Sequence, residues 1–105
     1  MVELVFGRTI ADGLVVSDAD WQRYVDDVLP LRTDGFTIVD CQGGWVDGGQ
    51  VVREGCKFVV LVIESQRLES LKDAVAEYRR RFRQESVLWM ERPCPQPMCR
   101  FEGAP

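Results

Sequence analysis

Asp40, Arg53, Glu54 and Lys57 are spaced on either side of a glycine pair, Gly48-Gly49, so folding the chain back at that pair brings them together. Such a surface could hold an anionic group through Arg53 and Lys57 and move a proton through Asp40 or Glu54, with Trp45 as an aromatic wall. The chain contains no histidine. That removes the usual general base near neutral pH, the commonest metal ligand and the usual proximal haem ligand. A Ser-His-Asp or Cys-His site is therefore impossible within one chain. A carboxylate base would need its pKa raised by burial. The competing reading of the same residues is a cross-strand Asp40–Lys57 ion pair beside a solvated hairpin tip. No catalytic residue is assigned, and no cofactor or metal is expected.

The four cysteines fall in two pairs. Pairing across the glycine turn sets Cys41 opposite Cys56, where a disulfide is geometrically conceivable and two buried thiols are the expectation for a cytoplasm. Cys94 and Cys99, in CPQPMC, lie inside the loose spacing range of zinc ligands or could form a redox pair, but a tight CxxC is absent. The start, MVELVFGR, carries an early Glu3 and no basic-then-apolar leader, so no secretory signal is expected and the cytoplasm is the default location. The longest apolar run, Phe58 to Ile63, is too short to span a bilayer. A net charge of −4 argues against a dedicated nucleic-acid binder, which needs positive charge to displace counterions from phosphates. Arg79, Arg80, Arg81 and Arg83 form a local basic cluster, either a solvated helix end or a patch for anions or acidic partners.

These residues need a scaffold, and 105 residues suffice for one domain with a single core. VELVF, ending at Gly7, reads as a strand, and RTIADGLVV as a loop punctuated by Asp12-Gly13. Ser17 is an N-cap candidate with Asp20 at the third helical position, and Val16 and Trp21 fall at the places of a hydrophobic staple. Trp21, Val25, Val28 and Leu29 then share a helical face that Pro30 terminates. Asp34-Gly35 turns into a strand from Phe36 to about Val46, and Gly48-Gly49 returns it. A second helix, capped by Ser65, carries Leu68, Leu71, Val75, Tyr78 and Phe82, and residues 85–90 form the last strand. The order β-α-β-β-α-β predicts an α+β, ferredoxin-like domain over residues 1–92, with a four-stranded antiparallel sheet and two helices on one face. Residues 93–105 are a tail too rich in proline for helix or central strand.

With Gly48-Gly49 as the turn, side chains sort by parity. Thr37, Val39, Cys41 and Trp45 share a face with Val60, Phe58, Cys56 and Val52. Phe36, Ile38, Asp40 and Gln42 share the other with Leu61, Val59, Lys57 and Gly55, with Arg53 beyond. Both faces are apolar at the hairpin base. The expectation is that Val39, Phe58, Val60 and Val62 lie under the helices, leaving Phe36, Ile38, Val59, Leu61 and Ile63 as an interface. A second copy of the chain, sheet against sheet as in dimeric α/β barrels, would cover that patch. So would the tail, or the loop from Arg8 to Val16.

Several stretches resemble one family: VELVFGR, VSDADWQRYVDDVLPLRTDGFTIVD, the glycine-tryptophan of GGW, REGCK and RFRQESVLWM. The chain is similar, over about residues 2 to 101, to a bacterial family of unknown function many of whose members are described as lipoproteins, RFRQESV being the most specific part. The resemblance implies a shared fold and brings no assigned activity. It draws attention to Gly7, Trp21, Gly35, Trp45, Arg53, Glu54, Lys57, Gln84, Glu85 and Ser86. Against that pattern, no lipoprotein leader is expected here, and REGCK reads Gly-Cys where Pro-Ser is typical.

Two functions follow as expectations. One is a small-molecule binder, for an anionic ligand or as a histidine-free enzyme, built on Asp40, Trp45, Arg53, Glu54, Lys57, Gln84 and Glu85. The other is a non-catalytic homodimeric interaction module. Single-stranded nucleic-acid binding ranks last, because VELVF and KFVVLVIE lack the exposed rings such sheets use.

Overall fold

The computed structural model describes residues 1–10, 14–33, 35–93 and 102–103. Asp12-Gly13, Asp34, Cys94 and Cys99 lie outside the described residues. Strand β1 is Val2–Gly7, helix α1 Asp18–Val28, strands β2 and β3 Thr37–Asp47 and Gln50–Leu61, helix α2 Leu68–Arg81 and strand β4 Leu88–Glu91. The fold is α+β, with four antiparallel strands in the order β2-β3-β1-β4.

Local chemistry accounts for most of these elements. The Ser17 hydroxyl accepts from the Asp20 N–H at 3.0 Å and caps α1, while Val16 and Trp21 on either side are buried. Pro30 does not end the chain's helical course at once: Leu29–Leu31 makes one further turn, with Pro at a position where no N–H is required. Gly48 and Gly49 both hold positive φ, 57° and 82°, the geometry of a two-residue hairpin turn. Pairing therefore runs Thr37↔Val60 through Asp47↔Gln50, the register the glycine pair implies. Ser65 is not a helix cap; it opens a single turn, Ser65–Arg67, that leads into α2.

The helices cover the face opposite to the one expected. Val59 and Leu61 are buried, at 0% and 2% exposure, in a core with Val2, Leu4, Phe6, Trp21, Tyr24, Leu71 and Tyr78, and Phe36, Ile38 and Ile63 pack against it. Val39 is 52% exposed on the far face. Of the five residues expected to form an interface, Val59 and Leu61 are core, and Phe36, Ile38 and Ile63 pack against it on the helix side. The reason lies in β1, whose Val2, Leu4 and Phe6 pair beside Leu61, Val59 and Lys57 and put three large apolar side chains on that face, against Glu3 and Val5 on the other.

At its C-terminus α2 closes with Arg83 at φ 51° and the Gln84 N–H bonded to the Arg79 carbonyl at 2.9 Å. This is the Schellman arrangement, which favours glycine at the left-handed position. Arg83→Gly should raise stability by about 1 kcal/mol in chemical denaturation, because the steric strain on a side chain is removed. A loss of stability would mean that Arg83 contacts outweigh the strain.

Candidate functional site

β1 supports β3 only from Cys56 to Leu61, so residues 42–55 continue as a two-stranded arm of six rungs, roughly 20 Å long. A cleft of about 560 Å³ lies at the root of this arm, on the face away from the helices. Three pieces of chain bound it. The arm gives Gly43, Trp45, Glu54 and Cys56; β1 and the segment after it give Val5, Gly7, Thr9 and Ile10. The α2–β4 connection and β4 give Arg83, Gln84, Glu85, Ser86 and Leu88.

Hydrogen bonds join the three pieces. The Glu54 carboxylate accepts from the Thr9 N–H at 3.1 Å, and the Gln84 amide donates to the Thr9 carbonyl at 2.8 Å. Tyr78 donates from α2 to the Gly7 carbonyl at 2.6 Å. Gly7 leaves room for the Glu54 carboxylate: a Cβ there would stand 2.7 Å from Glu54 Oε1, and the glutamate end would have to shift away from Thr9. Burial pushes the Tyr78 phenol well above its ordinary value, as it does that of Tyr24, whose hydroxyl donates to the Ala74 carbonyl. Tyr78 therefore stays protonated and acts as a donor that fixes the end of β1. The ionisable side chains lining the cleft are Glu54, Glu85 and Arg83, a balance that favours a cationic or hydrogen-bond-donating ligand over an anion.

Trp45, Glu54, Gln84 and Glu85 of the expected set converge on this cleft; Asp40, Arg53 and Lys57 do not. Lys57 lies on the helix side, 8% exposed, with its ammonium bonded to Asp40 and 5.9 Å from the centre of the Trp21 ring. A lysine stem packed over an aromatic ring, with its charge delivered to a carboxylate at the surface, is a structural contact. The hydrogen bond from Lys57 and its charge hold the Asp40 carboxyl below the usual range. Whatever that contact adds to stability is present above the ordinary aspartate pKa and is lost as pH falls through the lowered value. Arg53 pairs with Gly44 and takes the same parity as Lys57, away from Trp45 and Glu54. An anion site built on Arg53 and Lys57 is thereby excluded from the cleft. Cys41 and Cys56 are joined as a cross-strand disulfide with their Cα atoms 4.9 Å apart, in place of the expected thiols, because the register sets them directly opposite.

Gly7, Thr9, Ile10, Arg83 and Ser86 also line the cleft. Gly7 and Ser86 are among the positions carrying the family resemblance, and Arg83 belongs to the basic cluster. What joins them is the placing of β1 between β3 and β4.

A family model described as "Protein of unknown function (DUF3574)" matches residues 1–96. The chain belongs to this family. No curated protein matches it. Among solved structures it is similar to a phage SAM lyase in complex with S-methyl-5′-thioadenosine, at 19% identity and a TM-score of 0.64, over 84% of this chain and 75% of that one. The apo state of a phage SAM lyase matches at 18% identity and a TM-score of 0.60, over 84% and 74%. At these identities the likeness is one of fold. No helix among the described residues is long and apolar enough to cross a membrane.

Proposed function

We propose that the protein binds a small ligand of the nucleoside thioether or sulfonium class in the cleft at the root of the arm. The observation that carries this is the convergence of Trp45, Glu54, Gln84 and Glu85 on one cavity. Its volume falls within the range of small-molecule sites. A half-exposed indole offers a stacking surface for a purine, and the carboxylates of Glu54 and Glu85 suit ribose hydroxyls or a sulfonium charge. The phage lyase bound to S-methyl-5′-thioadenosine supports this ligand class through its shared fold. The element order, with β1 central beside β3, supports a ferredoxin-like assignment within the α+β class.

Calorimetric titration with S-methyl-5′-thioadenosine and with S-adenosylmethionine tests the reading. Binding is expected for at least one, with Trp45→Ala weakening it on the order of 10–100-fold through lost stacking and Glu54→Gln favouring the neutral thioether over the sulfonium. No heat with either compound at millimolar concentration would overturn it.

A second reading, homodimerisation, is favoured by the exposure of Val39, Trp45 and Leu88 on the far face. Strand lengths of 11, 12, 6 and 4 residues give that face an area on the order of 500 Å². A standard interface takes about 800 Å² per partner, so sheet-to-sheet contact with another copy approaches what a stable dimer needs. Light scattering should then give twice the chain mass for the parent and the single mass for Val39→Asp. A parent that remains monomeric at 100-fold higher concentration would remove this reading.

A further inference from the structure

The arm is a weak element by construction. Residues 42–55 include Gly43, Gly44, Gly48, Gly49 and Gly55, each adding backbone freedom to the unpaired state. Val46 and Val51 are exposed on one side and Trp45 and Val52 at least partly on the other, so the arm buries little apolar surface. A two-stranded hairpin without a supporting layer is marginal in water. The rest of the chain reaches it through the Arg8 N–H to Gly55 carbonyl bond at 3.1 Å and the Thr9 N–H to Glu54 bond. The Cys41–Cys56 disulfide sits on the last rung at which β1 still supports β3. It is a staple at the root of the arm, and Gly43, Trp45 and Glu54, just beyond it, are cleft wall.

We propose that the Cys41–Cys56 disulfide is a redox-operated latch on the cleft: oxidised, it holds the arm in place, and reduced, it lets the arm open and the wall that Trp45 and Glu54 supply is lost. The effect on ligand rests on the binding reading above; the effect on the arm does not. The reductant is a dithiol, free or carried by a disulfide reductase. One of its thiolates attacks Cys41 Sγ, the accessible sulfur because Cys56 is 5% exposed. The S–S bond breaks and Cys56 leaves as a thiolate that takes up a proton. The second thiol of the reductant then attacks the mixed disulfide and releases Cys41 as a thiol. Two electrons pass to the protein, and the dithiol becomes a cyclic disulfide.

The test uses the full chain with Cys94→Ser and Cys99→Ser, so that only this pair titrates, before and after dithiothreitol. The loop closed by the bond spans 15 residues in sequence separation, for which loop-closure entropy allows up to about 100-fold faster amide exchange once it is opened. Reduction should accelerate exchange across residues 42–55 by 10-fold or more, with Leu4, Val59 and Leu61 unchanged. It should also weaken S-methyl-5′-thioadenosine binding at least 10-fold. A further Cys41→Ser/Cys56→Ser variant should match the reduced protein and ignore dithiothreitol. Exchange that responds without ligand binding in either state defeats the binding reading and leaves the latch standing. Equal arm exchange in the two states, equal affinity in a protein that does bind, or alkylation of both thiols in air-oxidised protein would each overturn the latch.

Discussion

Leu61→Asp should leave the protein unfolded at room temperature, whereas Val39→Asp should fold with a stability within about 1 kcal/mol of the parent. Leu61 is 2% exposed beside Val2 and under the helices. Removing a buried leucine side chain costs about 2–5 kcal/mol, and an unpaired buried carboxylate adds several more. The sum reaches the whole stability of a small domain, about 5–15 kcal/mol. Val39 sits on the neighbouring hairpin strand with the opposite parity and is 52% exposed, so the same charge stays hydrated. Far-ultraviolet dichroism with urea titration reads both variants. A folded Leu61→Asp beside an unfolded Val39→Asp would reverse the assignment of faces.

Phe6→Ala should lower stability by about 3–5 kcal/mol. Phe6 is fully buried, and its ring centre lies 4.7 Å from that of Tyr78, 5.3 Å from Trp21 and 5.9 Å from Tyr24. Tilted and edge-on ring pairs add to the area term, and rings anchored by hydroxyl bonds to Ala74 and Gly7 cannot collapse into the space left. At about 4–8 °C per kcal/mol for a domain of this size, the melting temperature should fall by roughly 15–30 °C. A fall under 5 °C would show that the aromatic cluster is not the centre of the core. Because Tyr78 also holds the Gly7 carbonyl, the same cluster positions one edge of the cleft.

The hairpin was legible in the sequence because two adjacent glycines permit one turn, and one turn determines every pair from Asp47–Gln50 to Thr37–Val60. The Ser17 cap was legible because side-chain capping is local. Which hairpin face meets the helices was not, because the alternation of β2 and β3 leaves both faces apolar near the base, and Lys57 made the buried one look polar. VELVF holds the deciding information, three large apolar side chains on one parity and Glu3 on the other, but it acts only once β1 is known to lie against β3. Among site residues, Trp45, Glu54, Gln84 and Glu85 were reached from turn geometry and family resemblance. Thr9, Ile10 and Arg83 enter the cleft by adjacency of β1 and β4, a long-range pairing without a local signature.

The most direct test of the binding account is an amide and indole NMR titration of the oxidised protein with S-methyl-5′-thioadenosine. The account predicts saturable shifts at Gly7, Gly43, Glu54, Gln84 and Ser86 and at the Trp45 indole, with Asp40, Lys57 and Ile38 unmoved. Shifts centred on Asp40 and Lys57, or none at saturating ligand, would contradict it.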